Sequence, residues 1–195
     1  MEQEFSTQRD FAEYLGTALS GRVSTAESKT FGDLVAAEFT EKRLPPEKPG
    51  AAGLRIPVLR WVIKDDDLKL IENVFDGLKA GAAAGLIVGE PTTAALVGAV
   101  VGIAAAVVKS GRQLLRKGRQ LNELEYKVLL TLKAAPDGLT ETELLAWIEI
   151  VAHQKYDEQT IRNCIQLLQA ISLADGTVTS LVSKDANSRL RASGV

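Results

Sequence analysis

The chain has 195 residues, 46% hydrophobic and 25% charged, with a formal net charge of −2. That length allows one large domain or two small ones, and the averages are those of an ordinary soluble protein. A single cysteine, Cys164, excludes an intrachain disulfide, and a single histidine, His153, excludes a multi-histidine metal centre.

The averages hide an uneven distribution. Residues 1–76 carry ten basic and fourteen acidic side chains, residues 77–120 six and one, and residues 121–195 seven and ten. Two acidic flanks therefore surround a hydrophobic, then basic, centre. The opening MEQEFSTQRD has neither a basic n-region nor an apolar h-region, so no cleavable secretion signal is expected.

Taken in order, residues 1–66 read as a helical region. Phe5, Phe11, Ala12, Tyr14 and Leu15 recur at helical spacing after a Ser6/Thr7 cap, and Gly21 ends that helix. Ala26, Phe31, Leu34, Val35 and Phe39 predict a second. Residues 44–54, with three prolines and two glycines, read as a linker. Ile56–Ile63 has the β-branched and aromatic content of a short strand, which Pro57 confines to an edge or to a strand start. Asp65, Asp66 and Asp67 then suit the first turn of a helix, where acids complement the dipole.

Residues 67–120 read as two antiparallel helices, about Asp67–Gly89 and Thr92–Gln120, broken at Glu90-Pro91. Gly77, Gly81, Gly85 and Gly89 recur every fourth residue on the first arm. Ala94, Gly98, Gly102 and Ala106 do so on the second. Residues four apart share a helix face, so each stripe makes a flat groove that a second helix can approach to backbone contact. Such packing matters most in lipid, where no hydrophobic effect drives helices together. The second arm has 17 uncharged residues, Thr92–Val108, against about 20 for a full span. Insertion is therefore marginal, and a tightly packed soluble core uses the same stripes. Lys109, Arg112, Arg116, Lys117 and Arg119 follow at once, a tract expected to contact lipid or other phosphate on an anionic cytoplasmic face.

Residues 121–183 predict a compact α+β unit. Its expected helices are Asn122–Ala134, a second capped by Thr140 with Glu143 at the capping-box position, and Glu158–Ala170 opened by Asp157. Asp175-Gly176 reads as a two-residue hairpin turn between Ile171–Ala174 and Thr177–Val182. Residues 184–195 read as a loose polar tail. No catalytic constellation is present. The glycines are spaced GxxxG without a GK[ST] ending, Cys164 falls on an apolar helix face, and Trp61 and Trp147 suit a core.

The stretches LTETELLAWI and YDEQTIRNCIQLLQAISLADGTVTSLV resemble the second helix, recognition helix and wing of winged helix-turn-helix domains. That resemblance implies a third helix able to enter a DNA major groove, with Gln159, Thr160, Arg162, Asn163 and Gln166 as its readers. Asp157 and Glu158 at its start, and the acidic balance of the region, argue instead for a protein partner. The central segment resembles a glycine-zipper hairpin. The expected protein is thus mostly α, with a Gly/Ala-rich helical hairpin and a small α+β winged-helix-like domain. It is expected to be non-enzymatic and cofactor-free, to self-associate, and to act in the cytoplasm and conditionally at the inner face of an anionic membrane. Its layout is similar to that of membrane-perturbing effectors. The alternatives are a soluble DNA-binding regulator with the hairpin as dimerisation core, and a structural subunit of an assembly.

Overall fold

The computed structural model describes residues 1–45, 56–83, 93–152 and 154–193. The described chain is mostly helical, with seven α-helices and short antiparallel strands. It divides into two compact units, Met1–Lys69 and Leu70–Val195.

The first unit contains β1 (Glu2–Phe5), α1 (Gln8–Ala18), α2 (Thr25–Val35), β2 (Thr40–Arg43) and β3 (Val58–Lys64). A short 3-10 turn, Ala36–Phe39, leads into β2. Thr7 caps α1 by accepting from the Asp10 amide at 3.1 Å, and Ser24 and Glu27 form a capping box on α2. The sheet order is β1-β3-β2, all antiparallel, with Trp61 opposite both Phe5 and Thr40. Phe11, Leu15, Phe31, Val35 and Phe39 are fully buried, and the Phe11 and Phe39 rings lie 5.3 Å apart. The helices cross closely, because a Cβ on Gly32 would meet the Ala12 Cα at 3.0 Å.

Periodicity reads residues 1–43 as helical, but their ends are strands. EQEF and TEKR are four residues each, too short and too polar to show an alternation. They become strands because β3, far along the chain, supplies their hydrogen-bond partners. Pro57 precedes β3, so the strand that follows it occupies the centre of the sheet.

α3 (Asp65–Ala83) begins in the first unit and runs into the second. The second unit continues with α4 (Thr93–Arg116), α5 (Glu123–Ala134), α6 (Glu141–Ala152) and α7 (Glu158–Gln169). The predicted break at Glu90-Pro91 lies outside the described residues. α4 stops four residues short of the predicted Gln120. Gly118 takes φ +79°, and the Arg119 and Gly118 amides donate to the Leu114 and Leu115 carbonyls at 2.9 and 3.0 Å. That pattern closes a helix with a left-handed residue. Leu114 and Leu121 join the core that contains Val128, Leu132, Leu144, Ile148, Ile165 and Leu168. The end of the hydrophobic arm is therefore part of the same core as the C-terminal helices.

Two hairpins follow α7. The first pairs β4 (Ile171–Ser172) with β5 (Val178–Thr179). The Leu173 amide donates to the Thr177 carbonyl at 2.9 Å, so three residues, 174–176, make the loop instead of the predicted two; the Gly176 amide donates to the Leu173 carbonyl at 3.0 Å, and Gly176 sits at φ +80°. The second pairs β6 (Val182–Lys184) with β7 (Leu190–Ala192). It occupies the stretch expected to be a loose tail. Leu190 is fully buried, and it exchanges backbone hydrogen bonds of 3.0 and 2.7 Å with Leu139, between α5 and α6. A single apolar residue among polar neighbours gives periodicity too little to register.

Gly138 and Gly176 both have positive φ, but only Gly138 is crowded: a Cβ there would lie 2.8 Å from the Leu190 carbonyl oxygen. Urea unfolding is expected to show a loss of about 3 kcal/mol for Gly138→Ala and about 1 kcal/mol for Gly176→Ala. Equal losses would contradict the close approach.

Candidate functional site

α4 has two faces. Val101, Ala104, Ala105, Val107 and Val108 are buried, and half-buried Ile103 packs against Ala134 and Val151, as Trp147 does. Further along, a Cβ on Gly111 would meet the Tyr126 hydroxyl oxygen at 2.8 Å, so α4 and α5 are in close contact there. On the opposite face Gly98, Ala99 and Gly102 are exposed, and Ala106 is half-buried. Among the described residues, a Cβ on Gly98 or Gly102 would meet nothing within 4 Å.

Gly77, on α3, has different surroundings. Its added Cβ would lie 3.4 Å from Leu130 and 3.5 Å from Val151. The structure therefore does not bring Gly77 against Gly98 or Gly102. It seats the first on α5 and α6, and the others have no close neighbour among the described residues. Gly81 and Ala94 lie within α3 and α4, while Gly85 and Gly89 fall outside the described residues. Gly98–Arg116 is the one described helical stretch long and apolar enough to cross a membrane. It has 19 residues and a mean hydropathy of 1.2, and half of it is buried inside the protein.

The basic tract does not form a continuous outward patch. Lys109 is half-buried, Arg112 is 6% exposed, and Arg116 and Lys117 are exposed. Arg119 reaches Glu125 at 2.5 Å, a carboxylate only 1% exposed. Glu125 also accepts from the Asn122 amide at 2.7 Å, while the Asn122 side chain accepts from the Glu125 amide at 2.9 Å. A buried carboxylate needs both a cation and hydrogen bonds, and Arg119 supplies the charge. Of the five residues read as phosphate contacts, Arg112 and Arg119 are thus engaged within the fold.

On α7, Gln159, Arg162, Asn163 and Gln166 are exposed and Thr160 is half-buried. They form one face, yet they engage one another and nearby acids. Gln159 donates to Asn163 at 2.8 Å. The Thr160 hydroxyl, and then its amide, donate to Asp157, the N-cap, and hold its carboxyl below the usual value. Arg162 pairs with Glu158 at 2.5 Å and with Glu141 at 3.4 Å. The capping box at Thr140 likewise holds the Glu143 carboxyl low, first through the Thr140 amide.

Sequence reasoning missed Arg189. From the β6–β7 hairpin it donates to the Gly138 carbonyl at 2.7 Å, to the Asp137 carbonyl at 3.1 Å and to Glu143 at 3.3 Å. The hairpin turn is organised by Asp185, whose side chain accepts from the Asn187 and Arg189 amides at 2.9 Å. The Asp-Ala-Asn-Ser run before Leu190 carried a turn signal of this kind.

Among the described residues no group of three His, Cys, Asp or Glu side chains is placed to hold a metal ion. Asp67 is 3% exposed and accepts from the Lys64 amide at 3.0 Å, so the last of the three aspartates acts as a cap. Met1 and Asp65 form an ion pair at 2.5 Å. A groove of about 880 Å³ lies between α1 and α2, lined by Arg9, Glu13, Thr17, Thr25, Lys29 and Asp33. Arg9 and Glu13 are paired with each other at 2.8 Å. His153 lies outside the described residues. Comparison with protein-family models, with curated proteins and with solved structures finds no match.

Two outcomes follow from this chemistry. Arg119→Ala leaves a buried carboxylate without its cation and is expected to lower stability by about 2 kcal/mol. Lys117→Ala, on the exposed surface, is expected to change it by less than about 0.5 kcal/mol in the same urea titration. The second concerns Cys164, whose thiol is pushed up to about 12 by burial and then by Glu125. A raised value means that the protonated thiol is favoured in the folded state. Its contribution is full below the ordinary value of 9.0 and is lost as pH climbs towards about 12. A thiol reagent at about pH 8 is expected to leave the native protein unmodified and to label it fully in concentrated urea. Rapid native labelling would contradict the buried placement.

Proposed function

We propose that this chain is a non-enzymatic protein that self-associates through the outer face of α4 and engages anionic membrane surfaces with it. The observation that carries the reading is the open Gly98/Gly102 face on an apolar helix whose other face is already packed. Close helix approach through small residues is the mode of association that lipid favours. Because half of the span-length stretch is buried in the protein, engagement begins from the exposed face rather than from a preformed span. The cytoplasmic side of a membrane, with its anionic lipids, is the proposed location.

The C-terminal part of the second unit is proposed to be a winged-helix-like interaction module. The reading is supported by its order: α5, the Leu139 bridge, α6, α7, then β6 and β7, with Leu139 paired to β7. On that reading the wing is the β6–β7 hairpin rather than the expected one at Asp175-Gly176. A protein partner is favoured over nucleic acid, because Arg162 is held by carboxylates and Asp157 and Glu158 open α7.

The test compares wild type with Gly98→Leu/Gly102→Leu. Both positions are open, so the variant is expected to fold, with leucine slightly favouring the helix. Wild type is expected to float with phosphatidylglycerol vesicles, not with neutral ones, and to form oligomers in detergent by analytical ultracentrifugation. The variant is expected to keep vesicle binding and lose the oligomer. Wild type that stays monomeric and binds neither kind of vesicle would overturn the proposal.

A further inference from the structure

The junction of α6, α7 and the β6–β7 hairpin holds a network of exposed charges. Arg162 on α7 and Lys184 on β6 are its outward cations, and one carboxylate serves both. Glu141, the first residue of α6, meets Arg162 through one oxygen at 3.4 Å and Lys184 through the other at 3.3 Å. Glu158, the first residue of α7, meets Arg162 at 2.5 Å. Each of the four side chains is at least one-third exposed. Pairs this exposed hold side chains only weakly, so their effect is on local charge rather than on stability.

We infer that Glu141 and Glu158 are specificity determinants that exclude nucleic acid from the α7 face. The face otherwise has what a polyanion reader needs. Gln159, Asn163 and Gln166 are exposed amides beside a guanidinium, with an ammonium on the adjacent strand. What it lacks is net positive charge, because two glutamates cancel two cations. Affinity for DNA rises with the number of phosphates neutralised and the counterions released. With Asp157 capping the same helix, the face has no net positive charge to release counterions, and a phosphate approaching Arg162 also meets two carboxylates. The remaining hairpin cations do not restore the balance, since Arg189 faces Glu143 at 3.3 Å and Arg191 faces Asp185 at 3.2 Å. The choice of DNA as probe rests on the winged-helix-like reading; the role of α4 is independent of it.

The experiment measures binding of a short random-sequence DNA duplex by fluorescence anisotropy across salt. Glu141→Gln/Glu158→Gln is compared with wild type and with Glu123→Gln/Glu149→Gln, which makes the same change in net charge elsewhere on the unit. At about 50 mM salt the first variant is expected to bind at least tenfold more tightly than the other two. Its log K against log salt is expected to be steeper by about 2. Adding Arg162→Ala is expected to reverse most of the gain. Thermal melting checks folding, and Glu158→Gln alone, which leaves α6 intact, is expected to show part of the effect. A first variant that binds no better than the control, or wild type that binds as tightly as the variant, overturns the inference. Neither result bears on vesicle binding, so failure here and failure of the membrane reading are separable.

Discussion

Glu125 is 1% exposed and lies where α4 gives way to α5. Two groups bond its carboxylate, the Arg119 guanidinium and the Asn122 amide, and the Asn122 side chain accepts from the Glu125 amide. That arrangement starts α5, and Gly118 has just ended α4. Much of the second unit depends on this corner. It turns a hydrophobic helix back onto the helix that packs against it, and so converts a stretch with the composition of a membrane segment into part of a folded core. The cation nearest the corner is consequently a folding element, although in the sequence it belongs to a tract that looks made for phosphate.

The same corner gives α4 its asymmetry. One side is committed to the protein through Val101, Ala104, Val108 and Leu114, and the other presents glycine and alanine outward. A helix in this condition is neither a plain core helix nor a plain span. Small residues on the outward side add little apolar area, so the face is compatible with water. They also place few atoms between its backbone and that of a second helix.

What the sequence made legible was mainly local. The caps at Thr140 and Asp157 involve residues three apart, and both helices begin where those signals put them, while Asn122, read as the first residue of its helix, is instead the cap of α5. β3 declared itself by its β-branched and aromatic run. The strands that escaped notice, β1, β2, β6 and β7, are short and polar; β1 and β2 exist through β3, far along the chain, and the β6–β7 hairpin is tied through Leu190 to distant Leu139. The site residues divide the same way. Helical spacing correctly puts Arg162, Asn163 and Gln166 on one exposed face. It is silent about Glu141 reaching across from α6, because a contact between elements has no spacing rule. Nor does a run of basic residues reveal which cation turns inward to meet a buried acid.

The β6–β7 hairpin changes how the last residues of the described chain are regarded. Leu190 completes the backbone bonding of Leu139, and Arg189 ties down the carbonyls of the turn before α6. These contacts join segments about fifty positions apart, so this stretch is an integral member of the C-terminal core. A shortened version ending near Ser183 would leave the Leu139 amide and carbonyl without their partners and open the side of the core that Leu190 fills. An affinity label attached beyond Ala192 spares those contacts, whereas trimming the polar end to aid crystallisation would remove part of the fold.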